Sequence, residues 1–153
     1  MKRKKTLEFC LKNHQRKIKI DDAKIKRHIE NKISLFSPPP YCIEIAIVSN
    51  KRIRALNKQF LKKNTETDVL SFKLSRDHGV IVISAETAAE NGIRFGTTLE
   101  NEIIYLIIHG YLHLKNYTDY SEKERTKMFK IQDKMFNEVI QNRSTEKKDE
   151  KKH

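Results

Sequence analysis

The apolar run Ile103-Ile-Tyr-Leu-Ile-Ile108 continues without a break into His109-Gly-Tyr-Leu-His113, and no other stretch constrains this chain as tightly. Histidines four apart stand one helical turn apart, so both imidazoles leave the same face and their nitrogens can converge. Six apolar residues ahead of them place at least one ring in the interior, where an imidazole without a partner is costly. Asp119 follows six positions after His113, with Asn116 between them at the expected helix end. Asparagine tolerates the left-handed backbone that lets a chain reverse, so the Asp119 carboxylate can swing back toward the histidines. Two histidines and one carboxylate suit Zn²⁺ at a catalytic site, with a fourth position left for water.

Around this helix the sequence predicts alternating strands and helices. Leu7, Phe9 and Leu11 alternate with Glu8, Cys10 and Lys12, the pattern of a first strand at a sheet edge. Asp21-Asp22 caps a helix over 22–36 with Ile25, Ile29, Ile33 and Phe36 inward, and Ser37-Pro-Pro-Pro40 stops it. Cys42–Val48 is rich in β-branched residues and reads as a buried strand. Ser49-Asn50 caps a short basic helix running to Phe60, with Ile53, Leu56 and Phe60 inward. Thr67–Phe72 and Val80–Ser84 form two more strands about a turn at Asp77-His78-Gly79. A helix from Ser84 ends at Asn91-Gly92, and Thr97-Thr-Leu-Glu100 fits a capping box for the histidine helix. Ser121-Glu-Lys-Glu124 fits a second box, opening a last helix with Met128, Ile131, Met135, Phe136 and Val139 on one stripe. The reading is one domain over 1–140 and a charged, disordered tail over 141–153.

Charge adds a second constraint. The net charge of +12 over 153 residues is concentrated, with eight basic residues against Glu8 in 1–20. Lys51, Arg52, Arg54, Lys58, Lys62 and Lys63 fill 51–63 without one acid. Such clustering favours a polyanion, and the acid-free run favours the backbone of a nucleic acid. The longest apolar run is six residues, far below the roughly 20 that span a bilayer, so no membrane partner is expected. No apolar stretch follows the basic Met1–Lys5, and Cys10 and Cys42 form no disulfide framework, so a cytoplasmic location is expected. Ser71 lacks a His–acid pair to activate it and reads as a hydrogen-bonded strand residue. His14, His28 and His78 read as surface residues, and Tyr111 and Tyr117 either stack on bases or pack.

The spacing of His109 and His113 is similar to that of the metalloprotease helix His-Glu-x-x-His, but Gly110 takes the place of the glutamate that serves as general base. Protease chemistry therefore lacks its mechanism. The whole segment His109-Gly-Tyr-Leu-His-Leu-Lys-Asn-Tyr-Thr-Asp119 resembles the His-Gly-x-Leu-His-Leu-x-Gly-Tyr-Asp-His signature of the YbeY family of metal-dependent endoribonucleases. Leu56-Asn-Lys-Gln-Phe60, Thr67-Asp-Val-Leu-Ser-Phe72 and Gly79-Val-Ile-Val-Ile-Ser84 resemble that family's upstream motifs in the same order.

The resemblance implies an α+β fold related to the zincin metalloproteases, here a single mixed sheet of about four strands packed against helices. It implies one zinc ion held by His109, His113 and, where the family has a third histidine, Asp119. It further implies cleavage of single-stranded RNA in 3′-end maturation of small-subunit (16S) ribosomal RNA and in ribosome quality control, with the small ribosomal subunit as partner. Lys51, Arg52, Arg54, Lys58, Lys62 and Lys63 are the expected RNA-backbone contacts. Besides Asp119 for histidine and Asn116 for glycine, two upstream positions depart from the family pattern: Leu61 stands where an arginine is expected, and Val80 where an aspartate is. They motivate an alternative, a ribosome- or RNA-binding assembly factor with a weakened metal site.

Overall fold

Two short parallel pairings and one antiparallel hairpin build the sheet. The computed structural model describes residues 6–62 and 67–141. Strands β1 (Glu8–Asn13), β2 (Cys42–Val48), β3 (Val69–Ser75) and β4 (His78–Ser84) lie in the order β1-β2-β4-β3. β1 runs parallel to β2, β2 parallel to β4, and β3 antiparallel to β4. The first strand is thus at an edge, as its alternation predicts. Among the described residues, five α-helices complete the fold: α1 (Asp22–Asn31), α2 (Asn50–Leu61), α3 (Ala85–Phe95), α4 (Leu99–Leu114) and α5 (Glu122–Ile140). This is the mixed four-stranded α+β arrangement expected, with the zincin-like element of a His-x3-His helix laid against the sheet.

Side-chain alternation divides the sheet into two faces. Ile43, Ile45 and Ile47 of β2 and Ile81 and Ile83 of β4 point to the main core, where they meet Ile103, Ile104, Ile107 and Ile108 of α4. Each such isoleucine withdrawn from water contributes about 1.5–3 kcal/mol. Ten of the sixteen residues of α4 are buried, because β3, β4, α1, α3 and α5 all pack on it. On the other face, α2 covers a smaller cluster of Val48, Ile53, Leu70 and Val82.

Two glycines let α4 approach β4 closely. A Cβ on Gly110 would lie 2.8 Å from Ile81 Cγ2, and one on Gly79 would lie 2.7 Å from Leu114 Cδ1. Gly110 therefore stands between the two histidines because backbone, not side chain, meets the sheet there.

Several boundaries differ from the sequence reading. Helix α1 ends at Asn31 and a 3-10 turn, Ile33–Leu35, follows. Leaving the helix lets Phe36 wedge edge-on between Phe9 and Tyr111, with ring centroids 5.0 and 4.9 Å away. Phe60 is 50% exposed. It stacks on Phe72 at 5.1 Å, and Asn57, one turn after Ile53, takes the buried position instead. The β3–β4 turn sits at Arg76-Asp77, so β3 runs on to Ser75 and β4 begins at His78.

Helix α3 continues past Asn91-Gly92 to Phe95 and stops at Gly96, whose φ of 69° is left-handed. Gly92 serves a different purpose: its bare Cα leaves room for the returning chain, and Thr97 N donates to Gly92 O at 2.9 Å. The cap of α4 is Thr98, accepting from Asn101 N, one residue later than the expected box. Asp21, Ser49 and Ser121 cap α1, α2 and α5 as their residue types predict. The tail expected over 141–153 lies outside the described residues from 142 onward.

Candidate metal centre

The end of α4 supplies the two histidines, and the way that end is closed supplies the rest. Asn116 adopts φ 73°, the left-handed reversal expected of it, and its N–H donates to His113 O at 3.0 Å. Tyr117 N then returns to Leu112 O at 3.0 Å. The reversal turns the Tyr117 carbonyl onto His113 Nδ1 at 3.0 Å and carries Asp119 back beside the rings.

His109 Nε2 and His113 Nε2 face each other at 3.1 Å, and Asp119 Oδ2 lies 3.8 Å from His113 Nε2. One ligand atom from each of the three residues falls within 4.8 Å of the others. The outer nitrogens are both occupied: His113 Nδ1 by the Tyr117 carbonyl, and His109 Nδ1 by Gln132 Oε1 at 2.9 Å. A carbonyl oxygen only accepts, so each Nδ1 carries the proton and each Nε2 presents a lone pair inward. Two lone pairs aimed at each other beside a carboxylate suit a cation between them. Burial lowers the His113 pKa, and the neighbouring His109 lowers it further, against the opposing pull of Asp119 and the Tyr117 carbonyl. The neutral ring is the ligating form. The donor set thus fits a divalent ion of zinc's kind.

A family model described as endoribonuclease YbeY matches residues 10–140. The chain belongs to this family. A YbeY endoribonuclease of Endomicrobium trichonymphae is 41% identical over 98 residues, covering 63% of this chain and 70% of that protein. The corresponding protein of Petrotoga mobilis is 36% identical over 137 residues, covering 86% and 94%. Among solved structures, the solution structure of TM1509 from Thermotoga maritima superposes with a TM-score of 0.61 at 27% identity, covering 86% of this chain and 89% of that one.

The two upstream departures from the YbeY pattern occupy different places. Leu61 lines the same cleft as His109, His113 and Asp119 and is 47% exposed. Val80 packs with Ile53, Leu70 and Phe72 on the α2 side of the sheet, opposite Ile81 and away from that cleft.

The basic residues are only partly brought to the site. Helix α2 meets the cleft through Asn57 and Leu61, so Lys58 and Lys62 stand near it, exposed. Lys51, Arg52 and Arg54 sit toward the opposite end. There Asn50 is held by Ser84 and Thr87, and a twelve-residue helix separates its ends by about 18 Å. Lys63 lies outside the described residues. Ser71 lines the cleft from β3.

Tyr111 is buried, accepts from Ser37 N at 2.8 Å and packs on Phe36, so it belongs to the core. Tyr117 packs partly against the core as well. His14 is exposed, whereas His28 and His78 are half-buried, near Val139 O and Glu44 Oε2 at 3.3 and 3.0 Å.

Gln132 is the residue that sequence reading missed. It holds His109 yet lies on the apolar stripe of α5, one turn from Met128 and two from Val139. A polar residue in the middle of such a stripe is the signal that could have found it. Glu102 carries a similar signal, two turns before His109 on the same face of α4 and buried.

Proposed function

We propose that this chain is a zinc-dependent endoribonuclease that cuts single-stranded RNA. The observation that supports it most is the inward pair of Nε2 atoms at 3.1 Å, each ring fixed from behind by an acceptor. The names of the relatives supply the RNA substrate. Single-strand preference is supported by the apolar rim: Leu61, Tyr120, Phe95 and Phe129 are all exposed, and they border the two cavities that share His109. Aromatic rings at such a rim stack on unpaired bases, which a duplex would hide.

His109, His113 and Asp119 would hold the ion, which when bound lowers the pKa of a water and polarises a phosphate. Gln132 and Tyr117 keep the rings aimed, and the left-handed Asn116 keeps Asp119 in reach. Lys58 and Lys62 draw the RNA backbone to the cleft. The work of this family member is then 3′-end maturation of small-subunit ribosomal RNA and ribosome quality control in the cytoplasm. No helix among the described residues is long and apolar enough to cross a membrane. Metal analysis and cleavage of an unstructured RNA by the wild type, by His113→Ala and with chelator test the reading. Bound zinc and cleavage lost in both treatments is the expected result, and cleavage indifferent to both would overturn it.

Leu61 favours a second reading. An exposed leucine in the cleft, where an arginine would meet phosphate, suits a factor that binds ribosomal RNA during assembly and cuts it slowly or not at all. Salt-dependent RNA binding without chelator-sensitive turnover would select it.

A further inference from the structure

Beyond His109 the cleft continues into a second cavity of about 620 Å³ between α3, α4 and α5. Its mouth is aromatic, with Phe95 66% and Phe129 39% exposed. Its wall is mainly apolar, with a polar patch of Asp68, Asn91, Arg94, Glu102 and Gln132. Asn91 Nδ2 donates to Asp68 Oδ2 and to Glu102 Oε2, both at 3.4 Å. The other oxygen of each carboxylate takes no hydrogen bond from the described residues. Gln132 is 1% exposed, and with its Oε1 on His109 its amide nitrogen has no partner among the described residues.

A ligand that completes this wall needs several N–H donors for the carboxylates, one acceptor for the Gln132 amide, and a flat apolar face for the phenylalanines. Uracil offers one N–H between two carbonyls, and adenine and cytosine offer one amino group each. Guanine alone among the four bases presents an imino N–H and an amino group beside a carbonyl oxygen. We propose that this cavity receives an unpaired guanine, seating the nucleotide that flanks the cleaved phosphate. The role in cleavage rests on the nuclease reading above; the binding of guanine does not. Burial raises the Glu102 carboxyl to about 7, and Asp68 nearby adds to the effect against the Asn91 hydrogen bond. A pair of N–H donors is the partner that an ionised carboxylate there lacks.

Two measurements on the full chain test this. First, the metal-free protein is titrated with GMP, AMP, CMP and UMP while the side-chain amide resonances of Gln132 and Asn91 are followed by NMR. GMP is expected to bind about tenfold or more tighter than the others, the discrimination of one good bidentate base contact, and to shift both amides. Glu102→Gln should bring GMP down to the affinity of AMP, and Phe95→Ala, an exposed position, should weaken all four about tenfold. Equal affinity for the four nucleotides, or a GMP preference unchanged in Glu102→Gln, would overturn the proposal. Second, cuts made by the metal-loaded protein in an unstructured RNA are mapped. They should flank guanines, and Glu102→Gln should scatter them; cuts indifferent to guanine would count against the pocket. A GMP preference in a protein that cuts no RNA would support the pocket while removing the nuclease reading.

Discussion

Gln132 Oε1 lies 2.9 Å from His109 Nδ1, so a residue of α5 fixes the tautomer of a candidate ligand carried by α4. Replacing Gln132 with Leu frees that ring. Such outer partners of a ligating histidine are worth roughly 10–100-fold in metal affinity. A competition titration with a coloured chelator should therefore find Gln132→Leu weaker by about that factor, and Gln132→Glu, which keeps an acceptor, close to wild type. Equal affinity in Gln132→Leu would mean that the ring needs no support from α5.

Glu102 sets a slope in the pH dependence of stability. Unfolded, it titrates near 4.5; folded, burial raises it to about 7. A carboxyl raised by folding favours the fold while protonated. Its contribution is therefore full below 4.5, falls as the pH rises toward 7, and is flat above. The total is on the order of 3 kcal/mol at most. Glu102→Gln should gain urea resistance over wild type at pH 8 and match it near pH 4.5. His113, whose pKa burial lowers, adds a slope of opposite sign to both proteins and cancels in the comparison.

Gly110 has no room for a side chain. In Gly110→Ala the new methyl meets Ile81, a fully buried residue, at 2.8 Å from Cγ2 and 3.1 Å from Cγ1. Overpacking of this kind costs about 1–3 kcal/mol. Denaturant unfolding should register that loss, and Ile81→Ala in the same chain should recover part of it, since the two sites touch.

Asn116 controls whether Asp119 reaches the rings. Its φ of 73° suits Gly or Asn and strains a β-branched residue by about 1–2 kcal/mol. Asn116→Gly should keep wild-type zinc affinity, although it gives up the 3.1 Å bond from exposed Lys73. Asn116→Val should lose affinity to the level of Asp119→Ala. Calorimetric zinc titration of the three variants separates these outcomes.

Much of this arrangement could be read from residue order because it is local. The His109–His113 pair depends only on helical period, and the reversal only on Asn116. The capping residues Asp21, Ser49 and Ser121 act within three positions of themselves. What escaped the sequence is what comes from elsewhere in the chain. Gln132 meets His109 from 23 residues downstream, and Asn91 joins Asp68 from the same distance. The end of α3 is not legible in the sequence because Gly92 looks like a stop signal there, whereas in space it clears a path for Thr97. The basic run in α2 reads as one patch, but a rigid helix delivers only its last turn to the cleft.

The burial of α4 between the sheet and three helices divides the candidate site by timescale. Amides of Ile107–Tyr111 can reach solvent only when the whole fold opens, so their hydrogen exchange should proceed at the rate of global unfolding, and the histidine scaffold with them. Asp119 stands on the short non-helical segment between α4 and α5, outside that buried helix. An ion at this site would thus have two ligands on a slowly exchanging helix and one, Asp119, on a segment whose amides are expected to exchange faster.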